Sequence, residues 1–537
     1  MINSKLKEEI MELLLKTVEF QSHTGTKRER EIENYLLDYI SNIEYFKNRS
    51  TQYGLRKLDN DPLQRGFIWA YYKGTGSKTI ILLNHHDVVD SFDYGSLSDI
   101  AYYPEKLKKQ LIKLDFNKNI MDDLSSKDWL FGRGTADMKA GLAIQLSILK
   151  QICSSQRLAS NILFVSVPDE ESLSAGMRNC SKFLVELKEK LGFDYKLVIN
   201  SEPHERSDKN SYRIYEGSVG KTMAFVYVRG KKTHIGDIFN GINPSLILSN
   251  ILLKTEVNSK FSDKSCGQIS PPPSWSFARD FKKRYDASVP LSAGGYLSFL
   301  TLNKTPKEIL LKLKEICHDS LLESISQIKS NYTELYNKEF IGYRPKVKLY
   351  SELYDEAINN NKEKTIDDLN RVFSIVSKRI NDSTLTIPES NFYIVEALLE
   401  NIEDNNPTVI IGLSPPYYPH ISNNIRGFKL DLNHLQSICS NYFSNNLQIS
   451  EYFMGISDLS YLGLQDSDKV IPYIQQNMPL LLNNYYTIPL EEMKQLNLPV
   501  VNIGPWGQDY HKLTERVYLP DAIGQTPMLI LETIKMI

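Results

Sequence analysis

The chain has 537 residues, 41% of them hydrophobic and 24% charged, and a formal net charge of -2. That length exceeds what one core usually organises, so two or more domains are expected, with one domain interrupting another as an open arrangement. The balanced charge argues against nucleic acid as a main partner, and no run approaches the roughly 20 uncharged apolar residues that cross a bilayer.

From Lys5 to Tyr45 apolar residues recur at helical spacing in two stretches, divided by Gln21-Ser22-His23-Thr24-Gly25-Thr26, whose small polar residues can cap the second. The first stretch alternates charge with Ile, Met and Leu where a signal peptide would be uninterrupted and apolar. It reads as a folded helix of a soluble, cytoplasmic protein without membrane contact. Phe67–Tyr72, Thr79–Leu83, Ile162–Val167, Leu197–Ile199, Val409–Ile411 and Val500–Ile503 read as buried strands. Ala140–Ile152, Ser174–Lys188 and Asn433–Tyr442 read as helices, which together make an α/β sheet pattern. Between about Ser211 and Tyr350 the order changes. A strand pair over Arg213–Val228, a helix over Ser245–Leu253, strands around Ser276 and Tyr296, a helix over Lys307–Ser330 and a strand near Lys346 give a β-α-β-β-α-β series. The expected division is therefore 1–211, an inserted α+β domain at 212–350, and a return of the first domain at 351–537.

Cys153, Cys180, Cys266, Cys317 and Cys439 stand singly, so neither a disulfide framework nor a thiolate zinc site is expected, and any metal must be held by His and carboxylate. His85-His86-Asp87 follows the strand Thr79–Leu83, at the end where open α/β sheets place their sites. An imidazole there suits zinc, and a nearby carboxylate can orient it, although a histidine at a strand end is more often structural. Gly132-Arg133-Gly134-Thr135-Ala136-Asp137 is a glycine-punctuated turn into a helix. Asp137 reads as an N-cap or as a carboxylate bridging two cations. Asp169-Glu170-Glu171 sets three repelling acids just past a strand, where one can bind metal while its neighbour serves as a base. Glu202 and His511 also follow strands, whereas His86 and His204 read as bystanders. Together, five strand ends or adjoining turns supply enough groups for two N/O sites sharing one carboxylate.

In order and context these segments resemble the M20 metallopeptidases, with a His-x-Asp strand end, Gly-Arg-Gly-x-x-Asp-Met-Lys, Asp-Glu-Glu, Glu-Pro, and a late Gly-Pro turn followed by His and Glu. The resemblance implies a zinc-peptidase-like catalytic domain with a mixed sheet flanked by helices, and an inserted ferredoxin-like lid that dimerises. It implies two divalent metal ions, zinc first with cobalt or manganese as alternatives. One would be held by His85, Asp137 and Glu202 and the other by Asp137, Glu171 and His511, with Glu170 as general base and Asp87 orienting His85. Thr233-His234-Ile235-Gly236 is similar to the lid motif whose histidine stabilises the reacting carbonyl in a partner's site, which makes His234 the candidate there. Asn84 stands where the family has Gly, Trp506-Gly507 widens the late turn, and the Asn and Arg expected around Ala287–Ser298 are not evident. Asp90-Ser91-Phe92-Asp93-Tyr94-Gly95, Pro415-Pro416-Tyr417-Tyr418 and Ser457-Asp458-Leu459-Ser460-Tyr461 look like the arginine-utilization branch. The expected activity is hydrolysis of an amide bond, peptide or N-acyl, in a small amino-acid-derived substrate. The alternative is a non-catalytic metabolite-binding or regulatory protein, against which the base Glu170 beside a ligand weighs.

Overall fold

In a computed structural model, the described residues are 2–537 except 156, 207, 405, 429, 484 and 485. They form two units, Met1–Ser218 with Ile421–Leu464 and Glu491–Ile537, and Val219–His420 with Gln465–Leu490.

The first unit is built on an eight-stranded sheet in the order Tyr53–Lys57, Gly66–Tyr72, Asn161–Val167, Lys78–His85, Asp194–Asn200, Val500–Asn502, Ser211–Tyr215, Asn446–Ser450. Four consecutive strands in its middle, from Asn161–Val167 to Val500–Asn502, are parallel. Their register pairs His85 with Val167, Leu83 with Asn200 and Asn200 with Asn502, so their carboxyl ends finish at nearly one level. Strands of this kind are buried on both faces, which is why Asn161–Val167 is buried at every position. Helix Ala140–Ser155 packs against them. Its Leu142, Ile144, Leu146, Ile148, Leu149 and Ile152 are all fully buried, each contributing about 1.5–3 kcal/mol, and a helix apolar on so many sides has to lie inside.

The long stretch between Asp87 and Asp137 folds into helices Pro104–Leu111 and Lys118–Ser125 and strand Trp129–Phe131 around its own small core of Tyr94, Tyr102, Leu107, Trp129, Phe131, Trp506 and Tyr518. Trp129–Phe131 pairs with Arg516–Tyr518, which pairs in turn with Gly507–Gln508. That small sheet sets the hairpin from which His511 projects.

Glu33, on helix Glu29–Ser41, faces inward. Its Oε1 accepts the Gly66 N–H at 2.9 Å, its Oε2 is buried without a hydrogen-bond partner, and Lys57 Nζ lies 3.8 Å away. Burial outweighs the Gly66 hydrogen bond and Lys57 and pushes its carboxyl up from 4.5 to about 7. The folded protein then binds a proton that the unfolded chain has released. The resulting stabilisation is full below pH 4.5 and is lost as pH rises through about 7. Wild type is expected to lose stability relative to Glu33→Gln between pH 5 and 8, by at most roughly 3 kcal/mol. Thermal unfolding across that range reads the difference, and two parallel profiles would contradict the raised carboxyl.

The second unit contains the anticipated β-α-β-β-α-β series as Gly220–Arg229, Pro244–Thr255, Ser274–Asp280, Ser292–Thr301, Pro306–Tyr336 and Lys346–Leu349. The sheet order is Ser274–Asp280, Ser292–Thr301, Gly220–Arg229, Thr408–Tyr418, Lys346–Leu349. Without Thr408–Tyr418 this is the ferredoxin-like order, and that additional strand is inserted between the first and last of the series, antiparallel to one and parallel to the other.

Two expectations are corrected here. The return to the first unit comes at 421, because helices Tyr350–Asn360, Lys362–Asn381 and Ile387–Leu399 and the strand containing Val409–Ile411 all belong to the second. The strand pair read over Arg213–Val228 is divided between sheets. Ser211–Tyr215 pairs with Asn446–Ser450 in the first unit, and Gly220–Arg229 belongs to the second. Among the described residues no helix is long and apolar enough to cross a membrane, and the five cysteines are free.

Candidate metal centre

His85 is the last residue of strand Lys78–His85 and is buried. Its Nδ1 lies 3.1 Å from the Asp87 carbonyl and 3.4 Å from Asp87 Oδ1, which leaves Nε2 pointing at acids: Asp137 Oδ1 at 3.2 Å, Glu202 Oε1 at 3.5 Å and Glu170 Oε2 at 4.0 Å. Burial alone would lower this imidazole's proton affinity. Glu202, Asp137, Asp87 and Glu170 overcome that and raise it well above the usual range. Asp87 also does more than face a histidine, since its two oxygens accept the backbone N–H groups of Glu170 at 3.1 Å and Glu171 at 3.2 Å.

Asp137 lies in the turn ahead of helix Ala140–Ser155 with an extended backbone, φ -112° and ψ 100°, and the residue before that helix is Lys139, so Asp137 is not its cap. It stands between two histidines, Oδ1 3.2 Å from His85 Nε2 and Oδ2 3.3 Å from His511 Nε2. Its turn is held by Glu515, whose Oε1 accepts from the Ala136 and Asp137 N–H groups at 3.3 and 3.4 Å and whose Oε2 pairs with Arg133 Nη1 at 2.6 Å. Burial would raise the Asp137 carboxyl, but hydrogen bonds from His511 and His85 hold it far below the carboxylate range.

Glu170 and Glu171 follow Asn161–Val167 through Pro168 and a left-handed Asp169, φ +69°. Glu171 meets His511 Nε2 at 3.0 Å. Glu202, beyond Asp194–Asn200, owes its place to two neighbours. Asn502 Nδ2 donates to its carbonyl at 2.8 Å, and a Cβ on Gly504 would fall 2.0 Å from that same oxygen, so only glycine allows the approach. His511, at the tip of its hairpin with φ +60°, keeps 47% of its side chain exposed and marks the open side of the cluster. Hydrogen bonds that it donates to Asp137 and Glu171, against burial, push it up to about 11. Glu170, Glu171 and Glu202 are all raised by burial first; nearby acids add to this, Glu202, Asp458 and Glu171 for Glu170, Asp137 for Glu171, and Asp137 with Glu171 for Glu202.

His85, Asp137, Glu170, Glu171, Glu202 and His511 therefore converge. Two overlapping groups, His85 with Asp137 and Glu171 and His85 with Glu170 and Glu202, have ligand atoms within 4.8 Å of one another. His86 instead bonds Ser166 Oγ at 3.1 Å, and His204 Nδ1 bonds the Gly504 carbonyl at 2.8 Å; burial lowers both to about 3. His234 lies in the second unit, exposed, its Nδ1 accepting from Gly236 N–H at 3.0 Å.

Four residues beside the cluster were missed by sequence reasoning. Glu515 and Asp458 sit inside segments that had been singled out, while Glu29 and Arg65 had no signal. Asp458 is a buried acid raised to about 7, first by burial, and it adds to the repulsion felt by Glu170.

The donors suit divalent cations. Bonds of about 2.0–2.1 Å in a tetrahedron put neighbouring ligand atoms roughly 3.3 Å apart, and the His–carboxylate distances here run from 3.0 to 3.5 Å. Among the described residues, the cationic groups that favour ionisation of Asp137, Glu171 and Glu202 are histidines, and acids so crowded call for cations.

A family model described as peptidase family M20/M25/M40 matches residues 117–518. The chain is 31% identical to the uncharacterized protein YqjN of Bacillus subtilis, over 99% of this chain and 97% of that one. It is 29% identical to protein RocB of the same organism, over 98% and 94%. A succinyl-diaminopimelate desuccinylase of Wigglesworthia glossinidia brevipalpis is 31% identical over 37% of this chain and 46% of its own. In fold the chain resembles the aminopeptidase PepT of Bacillus cereus, with TM-score 0.53 and 13% identity over 99% of this chain and 98% of that one.

Proposed function

Since the chain belongs to peptidase family M20/M25/M40 and is a metallohydrolase acting on peptide or amide bonds, we propose that it cleaves a peptide or N-acyl bond in a small amino-acid-derived substrate, with arginine derivatives as the first class. The segments Asp90–Gly95, Pro415–Tyr418 and Ser457–Tyr461, which resemble the arginine-utilization branch, support that class. The observation that carries the reading is Asp137 reaching one histidine with each oxygen while Glu170 Oε2 stands farther back, 4.0 Å from His85 Nε2.

His85, Asp137 and Glu202 would hold one divalent cation and Asp137, Glu171 and His511 the other, zinc first, with cobalt or manganese competent in the same donors. When bound, the pair would supply Lewis acidity to the substrate carbonyl and acidify the attacking water. Glu170 takes the proton from that water. The same carboxyl holds that proton and delivers it to the nitrogen as the C–N bond breaks, so that a neutral amine leaves. Asp87 accepts from His85 Nδ1, which leaves Nε2 to ligate a cation held among the acids. Its grip on the Glu170 and Glu171 N–H groups ties the base and its neighbour to the same corner. His234 keeps the part the resemblance implied, donating to the developing oxyanion in the site of a second copy. Its Nδ1 already accepts from Gly236, so Nε2 carries the proton.

The test is metal analysis followed by chelation and add-back of zinc, cobalt or manganese, with a panel of N-acyl amino acids and dipeptides assayed at each stage. About two cations per chain and hydrolysis that disappears on stripping and returns on reloading are expected. Two cations without cleavage of anything in the panel would overturn the reading.

A further inference from the structure

The turn that carries Glu170 is gripped from two directions. Asp87 holds the N–H groups of Glu170 and Glu171 from the side of His85. From the other side comes Arg65, at the end of the connection between strands Tyr53–Lys57 and Gly66–Tyr72, only 5% exposed. Its Nη1 donates to Asp169 Oδ1 at 2.6 Å and to Glu29 Oε1 at 2.8 Å. Its Nε and Nη2 take the two oxygens of Asp61 at 3.2 and 3.1 Å. Glu29 closes the loop, its Oε2 accepting the Asp169 N–H at 2.9 Å.

Asp169 is thereby committed at every polar atom. Oδ1 meets Arg65, Oδ2 accepts the Ala175 N–H at 3.0 Å, its carbonyl accepts the Ser174 N–H at 2.7 Å, and its own N–H is held by Glu29. Its φ of +69° is a conformation that residues other than glycine adopt rarely. A residue held in that shape immediately before Glu170 decides where the Glu170 side chain starts. One guanidinium joins three carboxylates that come from a helix, a connection and a strand end, a task for a flat fork of five donors that a point charge on a flexible stem cannot match.

We infer that Arg65 is a positioning residue for the hydrolysis proposed above, fixing through Asp169 and Glu29 where Glu170 stands relative to His85. The inference rests on the reading of Glu170 as the group that moves the proton. If Arg65 served only to fasten helix Glu29–Ser41 to the sheet, its loss would lower stability and leave turnover alone.

The experiment uses the full chain with Arg65→Lys and Arg65→Met, loaded with Co(II). It reads metal content, the visible absorption of the bound Co(II), thermal unfolding, and kcat and KM separately. Arg65→Lys, which keeps a positive charge among the three acids, is the deciding variant if Arg65→Met does not fold. Expected for Arg65→Lys are two cations per chain, an altered Co(II) band shape through Glu171, KM within about threefold of wild type, and kcat lower by about 10²-fold, the scale of a misplacement near 1 Å. Arg65→Met should fall further in kcat at the same KM. A folded Arg65→Lys with lowered Tm but wild-type kcat and Co(II) spectrum would overturn the inference, as would a loss of kcat that only follows loss of metal. Should wild type bind two cations and cleave nothing, the functional reading falls by itself. The Co(II) spectrum then decides for Arg65, a changed band supporting the bracket and an identical one removing it.

Discussion

Replacing Glu170 by Gln is expected to lower kcat by about 10²–10⁴-fold, the range of a lost general acid–base, while the chain still holds two divalent cations. The amide has the same shape but cannot accept a proton at neutral pH. Glu170 Oε2 is 4.0 Å from His85 Nε2, farther than Asp137 or Glu202, so the histidine keeps both of its nearer partners. Burial and the charges of Glu202, Asp458 and Glu171 oppose ionisation at this position, so the neutral amide should not cost stability. KM should stay near wild type, because the group is used in moving a proton and not in holding substrate. Metal analysis beside steady-state kinetics separates the outcomes. A kcat within about threefold of wild type would remove Glu170 as the base, and loss of a cation would make it a ligand, as its place in the group with His85 and Glu202 allows.

What could be read from sequence was what local pattern encodes. An apolar run ending in His, Asp or Glu announces a buried strand that delivers a polar group at its end, and Lys78–His85, Asn161–Val167, Asp194–Asn200 and Val500–Asn502 do so side by side. The pattern does not say which sheet a strand joins. Val409–Ile411 looks like any strand of the first unit, yet Thr408–Tyr418 finds its partners in Gly220–Arg229 and Lys346–Leu349. Likewise Ser211–Tyr215 and Gly220–Arg229 follow each other too closely in the chain to reveal that they belong to different sheets. Glu29, Arg65 and Asp169 are a helical acid, a basic residue in a polar connection and the least remarkable of three acids. Their link spans 36 and 104 residues and is a product of the fold alone.

Asp137→Asn should have the widest effect of any single change in the cluster. An asparagine offers one acceptor oxygen and one NH₂ group, so it can face His85 or His511 as a ligand but not both, and it removes the negative charge that two cations would share. At least one cation per chain should be lost. The fall in affinity for the other should exceed the about 10–100-fold typical of losing an outer hydrogen-bond partner, and hydrolysis should fall below detection. Glu515 and Arg133 hold the turn through its backbone N–H groups and do not need the Asp137 side chain, so the variant should fold with the Ala136–Asp137 segment in place. That separates it from Glu170→Gln, where turnover is lost with both cations present. Titration of stripped protein with zinc, read calorimetrically, gives the stoichiometry directly. An Asp137→Asn protein that binds two cations as tightly as wild type would mean that the carboxylate between the histidines is not shared, and the two-cation arrangement would fall with it.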